Sequence, residues 1–333
     1  MSRLVYAIIA TALCGCSATS GSTSTADAVA QDDTLVHAVS TPVFDADSAY
    51  SHVARQVAFG PRVPGSDANR LCREYLVGEF KAYGADTVLT QSFEATAWDG
   101  KRLPLVNIMA SYNPDAAKRI VIAAHYDTRP WADNEADPQS RFKPIDGAND
   151  GASGVGVIME LARLMGMQSP RVGVDLLLVD GEDYGWSEEI ADIPVKDSDE
   201  TWCLGSRYWA KNMPYKSAVR PAYGVVLDMV GGTDARFHRE ILSDYFARDI
   251  VDKLWAAAAR AGASDRFVNQ PGSSVNDDHI PLNQAGIPTV DVIEYRQGGF
   301  SPTWHTHADN LANIDPATLG AVGQAICELI YNE

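Results

Sequence analysis

Apolar positions along this chain fall into short runs bounded by turn residues, and their period changes from one run to the next. Residues 44–56 repeat at helical spacing behind Asp45 or Asp47 as a cap. A second helical pattern carries Leu71, Tyr75, Leu76, Phe80 and Tyr83, opened by Ser66 or Asp67 and stopped by Gly84. Residues 87–94 alternate as a strand, and 105–112 form another that ends at the turn Asn113-Pro114. Residues 119–124 and 174–179 are short apolar runs, the second rich in Val and Leu, which read as strands buried in a sheet. Further strands are expected at 225–229, 290–293 and 241–242, and helices at 155–165, 247–261 and 316–331. Strands alternating with helices predict an α/β fold in a single domain, with a mostly parallel central sheet and helices on both faces. No internal repeat is visible.

The chemistry collects where those strands end. The run 174–179 continues into Asp180-Gly181-Glu182-Asp183, which delivers two adjacent carboxylates to the carboxyl end of a strand, the end at which open α/β sheets hold their ligands. Two neighbouring carboxylates repel unless a cation lies between them or one keeps a proton. The natural division is therefore one metal ligand and one general acid or base, against the plainer reading of an N-cap pair opening a helix. The run 119–124 ends at His125-Tyr126-Asp127, and the small residues of Gly147-Ala148-Asn149-Asp150-Gly151-Ala152-Ser153-Gly154 let the next helix start close against the sheet. His125, Asp150, Glu182, Asp183, Asp228, Asp277 and His305 all fall at strand ends or in the loops beyond them. Singly, such a histidine is more often a core residue and an Asp before Gly more often a turn residue. Together, imidazole and carboxylate without thiolate suit zinc in a site left open for substrate.

Length and charge narrow the partners. With 333 residues, 46% of them hydrophobic, the chain can bury one large core. A formal net charge of -17 with no basic stripe argues against nucleic acid and anionic membrane surfaces as partners. At the N-terminus, Arg3 precedes the apolar stretch 4–13, too short to span a bilayer and suited to the h-region of a secretory leader. Leu13-Cys14-Gly15-Cys16 resembles the lipobox of bacterial lipoproteins, in which the cysteine at the position of Cys16 is acylated. Residues 17–30 are almost all Ser, Thr, Ala and Gly and suit a flexible tether. The expected layout is a signal peptide at 1–15, a lipid-anchored tether at 16–43 and a catalytic domain at 44–333, in a protein exported to the periplasm. It would touch a bacterial membrane only through Cys16. Cys72, Cys203 and Cys327 remain, an odd number without CxxC spacing, which is neither a disulfide framework nor a sulfur-ligated zinc site.

From about Phe59 to the end, these same motifs, joined by Leu204-Gly205-Ser206-Arg207, Asp277-Asp278-His279-Ile280-Pro281-Leu282, Gly286-Ile287-Pro288 and Trp304-His305-Thr306, resemble in order the glutaminyl-peptide cyclotransferases. These glutaminyl cyclases belong to the zinc-aminopeptidase-like superfamily, and the Asp-Asp-His-Ile-Pro and Trp-His-Thr stretches look most like the bacterial kind. The resemblance implies a zinc-exopeptidase-like fold and one zinc per chain held by Asp150, Asp183 and His305. It implies Glu182 as general acid/base, and Asp228 and Asp277 as carboxylates that share a proton and hold the substrate's amine. Trp304 and Phe300 would line the pocket, and Trp186 or Trp202 would stand for a further pocket indole. The implied reaction closes N-terminal glutamine, and more slowly glutamate, of peptides or exported proteins to pyroglutamate. Departures are Asp183 and Ala124, where animal cyclases have Glu and Cys. The rival within the superfamily is a two-zinc aminopeptidase in which His125 and Asp228 complete a second site around Asp150. A metal-free binding lipoprotein would have no reason to keep Glu182 with every ligand type.

Overall fold

In the computed structural model, which describes residues 40–215, 219–296 and 299–333, helices α1 (Ala46–Val57) and α2 (Asp67–Ala82) open the described chain. The leader, Cys16 and the tether through residue 39 lie outside the described residues. Asp45 caps α1 by accepting from the N–H groups of Asp47 and Ser48, and Ser66 caps α2 through Asn69. Each satisfies amides that have no partner within their own helix. Residues 40–43, expected to belong to the tether, are already bonded to the body. Gln168 Nε2 donates to the Ser40 carbonyl (2.8 Å) and Gln324 Nε2 to that of Pro42 (3.1 Å).

The sheet begins with the hairpin β1 (Thr87–Thr96) and β2 (Arg102–Tyr112), followed by β3 (Arg119–His125), α3 (Ala152–Met167) and β4 (Gly173–Val179). After α4 (Leu204–Lys211) come β5 (Gly224–Asp228), β6 (Phe237–Arg239), α5 (Ile241–Arg260) and β7 (Phe267–Pro271). Helix α6 (His279–Gln284), β8 (Thr289–Ile293) and α7 (Pro316–Tyr331) complete the main elements. Six strands pair in the order β1-β2-β4-β3-β5-β8, of which β4, β3, β5 and β8 are parallel and β2 runs antiparallel to both its neighbours. The four parallel strands are buried at every residue, as expected of strands covered on both faces, whereas β1 at the edge is largely open to solvent.

Alternate residues of β3 serve different cores. Ile120, Ile122 and Ala124 face the large core built with α1, α3, α5 and α7; Val121 and Ala123 face the smaller one with Trp209, Leu282 and Ile287. Asp175 breaks the apolar run of β4 and is satisfied by Arg119 (Nε to Oδ2, 2.6 Å), Ser111 and Tyr215, so the charge is buried with partners. Residues 241–242, expected as a strand, instead begin α5. Glu240 accepts from the N–H groups of Leu242 and Ser243 and so caps that helix, a task for which Glu carries little local signal. Cys72, Cys203 and Cys327 are free and buried. No helix among the described residues is long and apolar enough to cross a membrane.

Helix α3 sits close on the sheet because of Gly154. A Cβ there would stand 2.0 Å from the carbonyl oxygen of Leu227 in β5. Backbone cannot yield as a side chain does, so Gly154→Ala is expected to destabilise the fold by about 1–3 kcal/mol or more, read from the urea midpoint. An unchanged midpoint would show that the helix can lift without cost.

Candidate metal centre and substrate pocket

Because β3, β4, β5 and β8 are parallel and in register, their carboxyl ends share one edge of the sheet. His125 ends β3, Asp228 ends β5, and Asp180 to Asp183 follow β4. The loops beyond are held by backbone amides. Asp127 accepts from the N–H groups of Glu182 and Asp183 at 3.2 Å each, and Asp309 accepts from those of Asn149 (2.7 Å) and Asp150 (3.1 Å). Buried Asp180 accepts from Asn69, Tyr126 and the N–H of Val106 and takes no part in the site directly; burial, then Asp127, pushes its pKa up to about 7. Gly151 approaches His125 so closely that a Cβ would meet its carbonyl at 2.4 Å.

Asp150, Asp183 and His305 each offer a donor atom within 4.8 Å of the others, and all three are buried. His305 Nε2 lies 3.2 Å from Asp183 Oδ1 and 3.7 Å from Asp150 Oδ2, while its Nδ1 lies 2.9 Å from Asp133 Oδ1. Asp133 is in turn gripped by Arg129. Although burial would raise it, Asp133 is held far below the usual carboxylate range by His305 and Arg129. Burial and Arg129 lower the His305 pKa, but Asp183 and Asp133 outweigh them and it rises to about 9. Asp183 is pushed up to about 6, by burial first and then by Asp150. Both oxygens of Asp183 are buried without a hydrogen bond: His305 and Arg129 approach, but neither donates to the carboxylate in hydrogen-bonding geometry. Buried, unpaired carboxylate oxygens beside an imidazole oriented by a second carboxylate are what a metal would satisfy, and the O,O,N donor set fits zinc.

A second cluster adjoins the first. His125 Nε2 stands 3.0 Å from Asp150 Oδ1 and 3.2 Å from Asp228 Oδ1. Burial lowers the pKa of His125, but the carboxylates of Asp127, Asp150 and Asp228 carry it well above its ordinary value. Burial, then Asp150, raises Asp228 to about 7. Glu182 is pushed well above the usual range, foremost by burial; His125 opposes the shift, and Asp183, Asp277 and Asp278 add to it.

These groups floor a cavity of about 290 Å³, lined by Asp150, Glu182, Asp183, Asp228 and Asp277 below and by Trp202, Tyr295, Phe300 and Trp304 on its walls. Phe300 packs on Trp304 (4.3 Å between ring centres), and Trp304 stacks on the His305 ring at 3.8 Å. Every metal and catalytic residue expected from sequence is thus brought together, with Trp304 and Phe300 on the wall. Trp186 is not: its Nε1 donates to the Ala191 carbonyl and it does not line the cavity. Trp202 takes that wall, stacked 6.1 Å from His305 with the Arg129 guanidinium 4.4 Å from its ring centre. A cation beside the indole and a Gly185 that leaves no room for a Cβ under Trp202 fix this choice, and both are tertiary contacts. Sequence reasoning gave no role to Arg129, Asp133, Asp127 or Asp309. The first three lie in and just after the His-Tyr-Asp element, whereas nothing local marks Asp309.

A model of peptidase family M28 matches residues 107–330. The fold is similar to a Bacteroides thetaiotaomicron glutaminyl cyclase bound to N-acetylhistamine, at 47% identity and TM-score 0.85, covering 88% of this chain and 100% of that one. A leucine aminopeptidase precursor from Bacteroides thetaiotaomicron VPI-5482 is as similar, with 47% identity, TM-score 0.84 and coverage of 88% and 99%. Among curated proteins, the glutaminyl-peptide cyclotransferase of Drosophila melanogaster is 28% identical over 280 residues, 78% of this chain and 73% of its own length.

Since His305 holds a proton up to about pH 9 in the absence of metal, a metal must displace it. Zinc added to chelator-stripped protein near neutral pH is expected to release protons, with apparent affinity rising as pH approaches about 9. Asp133→Asn should weaken zinc binding by roughly 10–100-fold in competition with a chelator. Affinity that is flat in pH, or untouched by the Asn, would remove His305 from the metal's ligands.

Proposed function

We infer that this chain, which belongs to peptidase family M28, is a glutaminyl cyclase acting on peptides or exported proteins that begin with Gln. The α-amine nitrogen bonds to the γ-carbonyl carbon of the same residue, the bond to the amide nitrogen breaks, and ammonia leaves with a pyroglutamyl N-terminus behind. The observation that carries this reading is the cavity. It is small, walled by aromatic rings and floored by buried carboxylates, among them Glu182, which stands beside the metal donors and close to Asp277. The nucleophile belongs to the substrate, so no Ser or Cys nucleophile is required.

One zinc, held by Asp150, Asp183 and His305, would supply a Lewis acid for the γ-amide oxygen. Glu182 takes a proton from the amine and returns it to the leaving nitrogen, and burial that lifts its pKa brings it nearer the working range of a proton carrier. Asp228 and Asp277 hold the amine. Burial raises both, which favours a proton on one of these carboxyls while another presents an acceptor. Trp202, Phe300 and Trp304 exclude water and fold the short side chain back on its own amine, which turns much of the barrier into positioning. A substrate with Glu in place of Gln would bring a further carboxylate into a cavity already floored by acids and should react more slowly.

The second reading, an aminopeptidase with two metals, rests on the cluster of His125, Asp150 and Asp228. One metal is supported instead by His125 Nε2, which reaches both carboxylates at once, so that a proton there can stand between them. For location, the h-region at 4–13, Cys16 and the tether support an exported protein held at a bacterial membrane by an acyl chain.

A Gln-initiated dipeptide should yield ammonia and a blocked N-terminus, with near one zinc per chain; free amino acid and near two metals would establish the peptidase. Glu182→Gln should lower kcat by about 10²–10⁴-fold with zinc retained, and full activity would remove Glu182 from proton transfer. Cys16→Ser, expressed in a bacterium, should move the protein from the membrane to the soluble periplasmic fraction. An unchanged membrane fraction would refute the anchor.

A further inference from the structure

Glu182 has a neighbour that the cyclisation does not use. Cys203 is wholly buried at the start of α4, and its thiol stands 3.3 Å from Glu182 Oε1. Two backbone bonds lock this approach: the Cys203 N–H donates to the Glu182 carbonyl (3.0 Å) and the Leu204 N–H to that of Gly181 (3.1 Å). Asp277 completes a triangle. Its carboxylate, the Glu182 carboxylate and the Cys203 sulfur each offer a donor atom within 4.8 Å of the others, all buried. Asp277 Oδ1 accepts from the Asp278 N–H, and among the described residues Oδ2 meets no amide, hydroxyl or cationic donor, although Asp277 is only 3% exposed and its carboxyl lies beside that of Asp291. Glu182 and Asp277 both line the cavity, so an ion can reach them from solvent.

We propose that Glu182, Cys203 and Asp277 form a second metal site, separate from the donors Asp150, Asp183 and His305, at which cadmium or excess zinc inhibits the enzyme. The proposal rests on Glu182 being the proton carrier, since the ion acts by taking that carboxylate out of proton transfer. Donor atoms of a tetrahedral ion bonded at 2.0–2.3 Å lie about 3.6 Å apart; the thiol and Glu182 stand at 3.3 Å, and Asp277 offers an oxygen within 4.8 Å of both. Crowded carboxyls favour the ion: Glu182 and Asp277, with Asp278 beside them, have been moved out of water, and a divalent cation relieves their repulsion. The thiol sets the class, because sulfur selects cadmium and zinc over magnesium and calcium. Binding converts Cys203 to a metal-bound thiolate and releases its proton to solvent, with no change of oxidation state. Neither the catalytic donors nor the cluster around His125 contains sulfur, so a thiolate signal lost in Cys203→Ser separates this site from both.

The test is a cadmium titration of the zinc-loaded enzyme, followed by ultraviolet thiolate-to-cadmium charge transfer, by metal content and by ammonia release. Absorbance should grow to one cadmium per chain while zinc is retained, in step with loss of cyclisation. Cys203→Ser keeps a donor to Glu182 but should abolish the band and raise the cadmium needed for half-inhibition of its own rate roughly 10-fold or more. Glu182→Gln should keep the band but weaken cadmium binding by a similar factor. Absence of the band in the unmodified enzyme, its persistence in Cys203→Ser through Cys72 or Cys327, or inhibition unchanged by that substitution would each overturn the proposal. If the zinc-loaded protein releases no ammonia before cadmium is added, the cyclase reading fails, and the band and its response to the two substitutions still decide whether the metal site exists.

Discussion

Repulsion among carboxylates packed at one edge of the sheet is the constraint around which this molecule is arranged. Two of the four parallel strands, β4 and β5, deliver Asp180, Glu182, Asp183 and Asp228 to that edge, the loops add Asp150 and Asp277, and burial strips most of their water away. Each carboxyl in such a place is driven to keep a proton, to accept from amides or to take a cation. The structure uses all three. Asp127 and Asp309 spend their oxygens on backbone N–H groups, Asp133 and His305 form a charged pair beside Arg129, and Glu182, Asp228 and Asp277 are pushed toward protonation.

The division of labour follows from partners. Asp183 and Glu182 are adjacent and equally deprived of water, yet Asp183 faces His305 and Asp150, whereas Glu182 faces the cavity and a neutral thiol. The first environment is completed by a metal and the second by a proton. A floor of acids suits a substrate that arrives with a free amine and expels its amide nitrogen as ammonia, and aromatic walls keep the water that would hydrolyse rather than cyclise at a distance. The same crowding that makes Glu182 useful makes it a target for a competing soft cation.

Much of this was legible in the chain because it rests on local pattern. Short, mostly apolar runs at 119–124 and 174–179 read as buried strands, and parallel strands put their ends together, so His125 and Glu182-Asp183 were expected to meet. The cap at Asp45 and the close start of α3 at Gly151 to Gly154 depend on neighbours in sequence. Where a choice turned on distant contacts, the pattern failed. Residues 241–242 look like a strand until the Glu240 carboxylate is seen to cap α5, and Trp186 and Trp202 are equal candidates until Arg129 and Gly185 place one of them on the wall.

The sequence by itself determined the α/β architecture and the edge at which the chemistry gathers, since period and residue type decide these, and its family resemblance pointed to Asp150, Asp183 and His305 as candidate metal donors. Only the tertiary structure decided which carboxylate accepts from which amide, that Asp133 orients His305, that Trp202 walls the cavity and that a thiol touches Glu182. The reason is physical. Pattern reports which side of an element is buried, but the energy of a buried charge depends on the few atoms within about 4 Å of it. Those atoms come from segments 21 to 172 residues away in the chain, as Cys203 is from Glu182 and His305 from Asp133, and their meeting is fixed by the packing of the whole sheet.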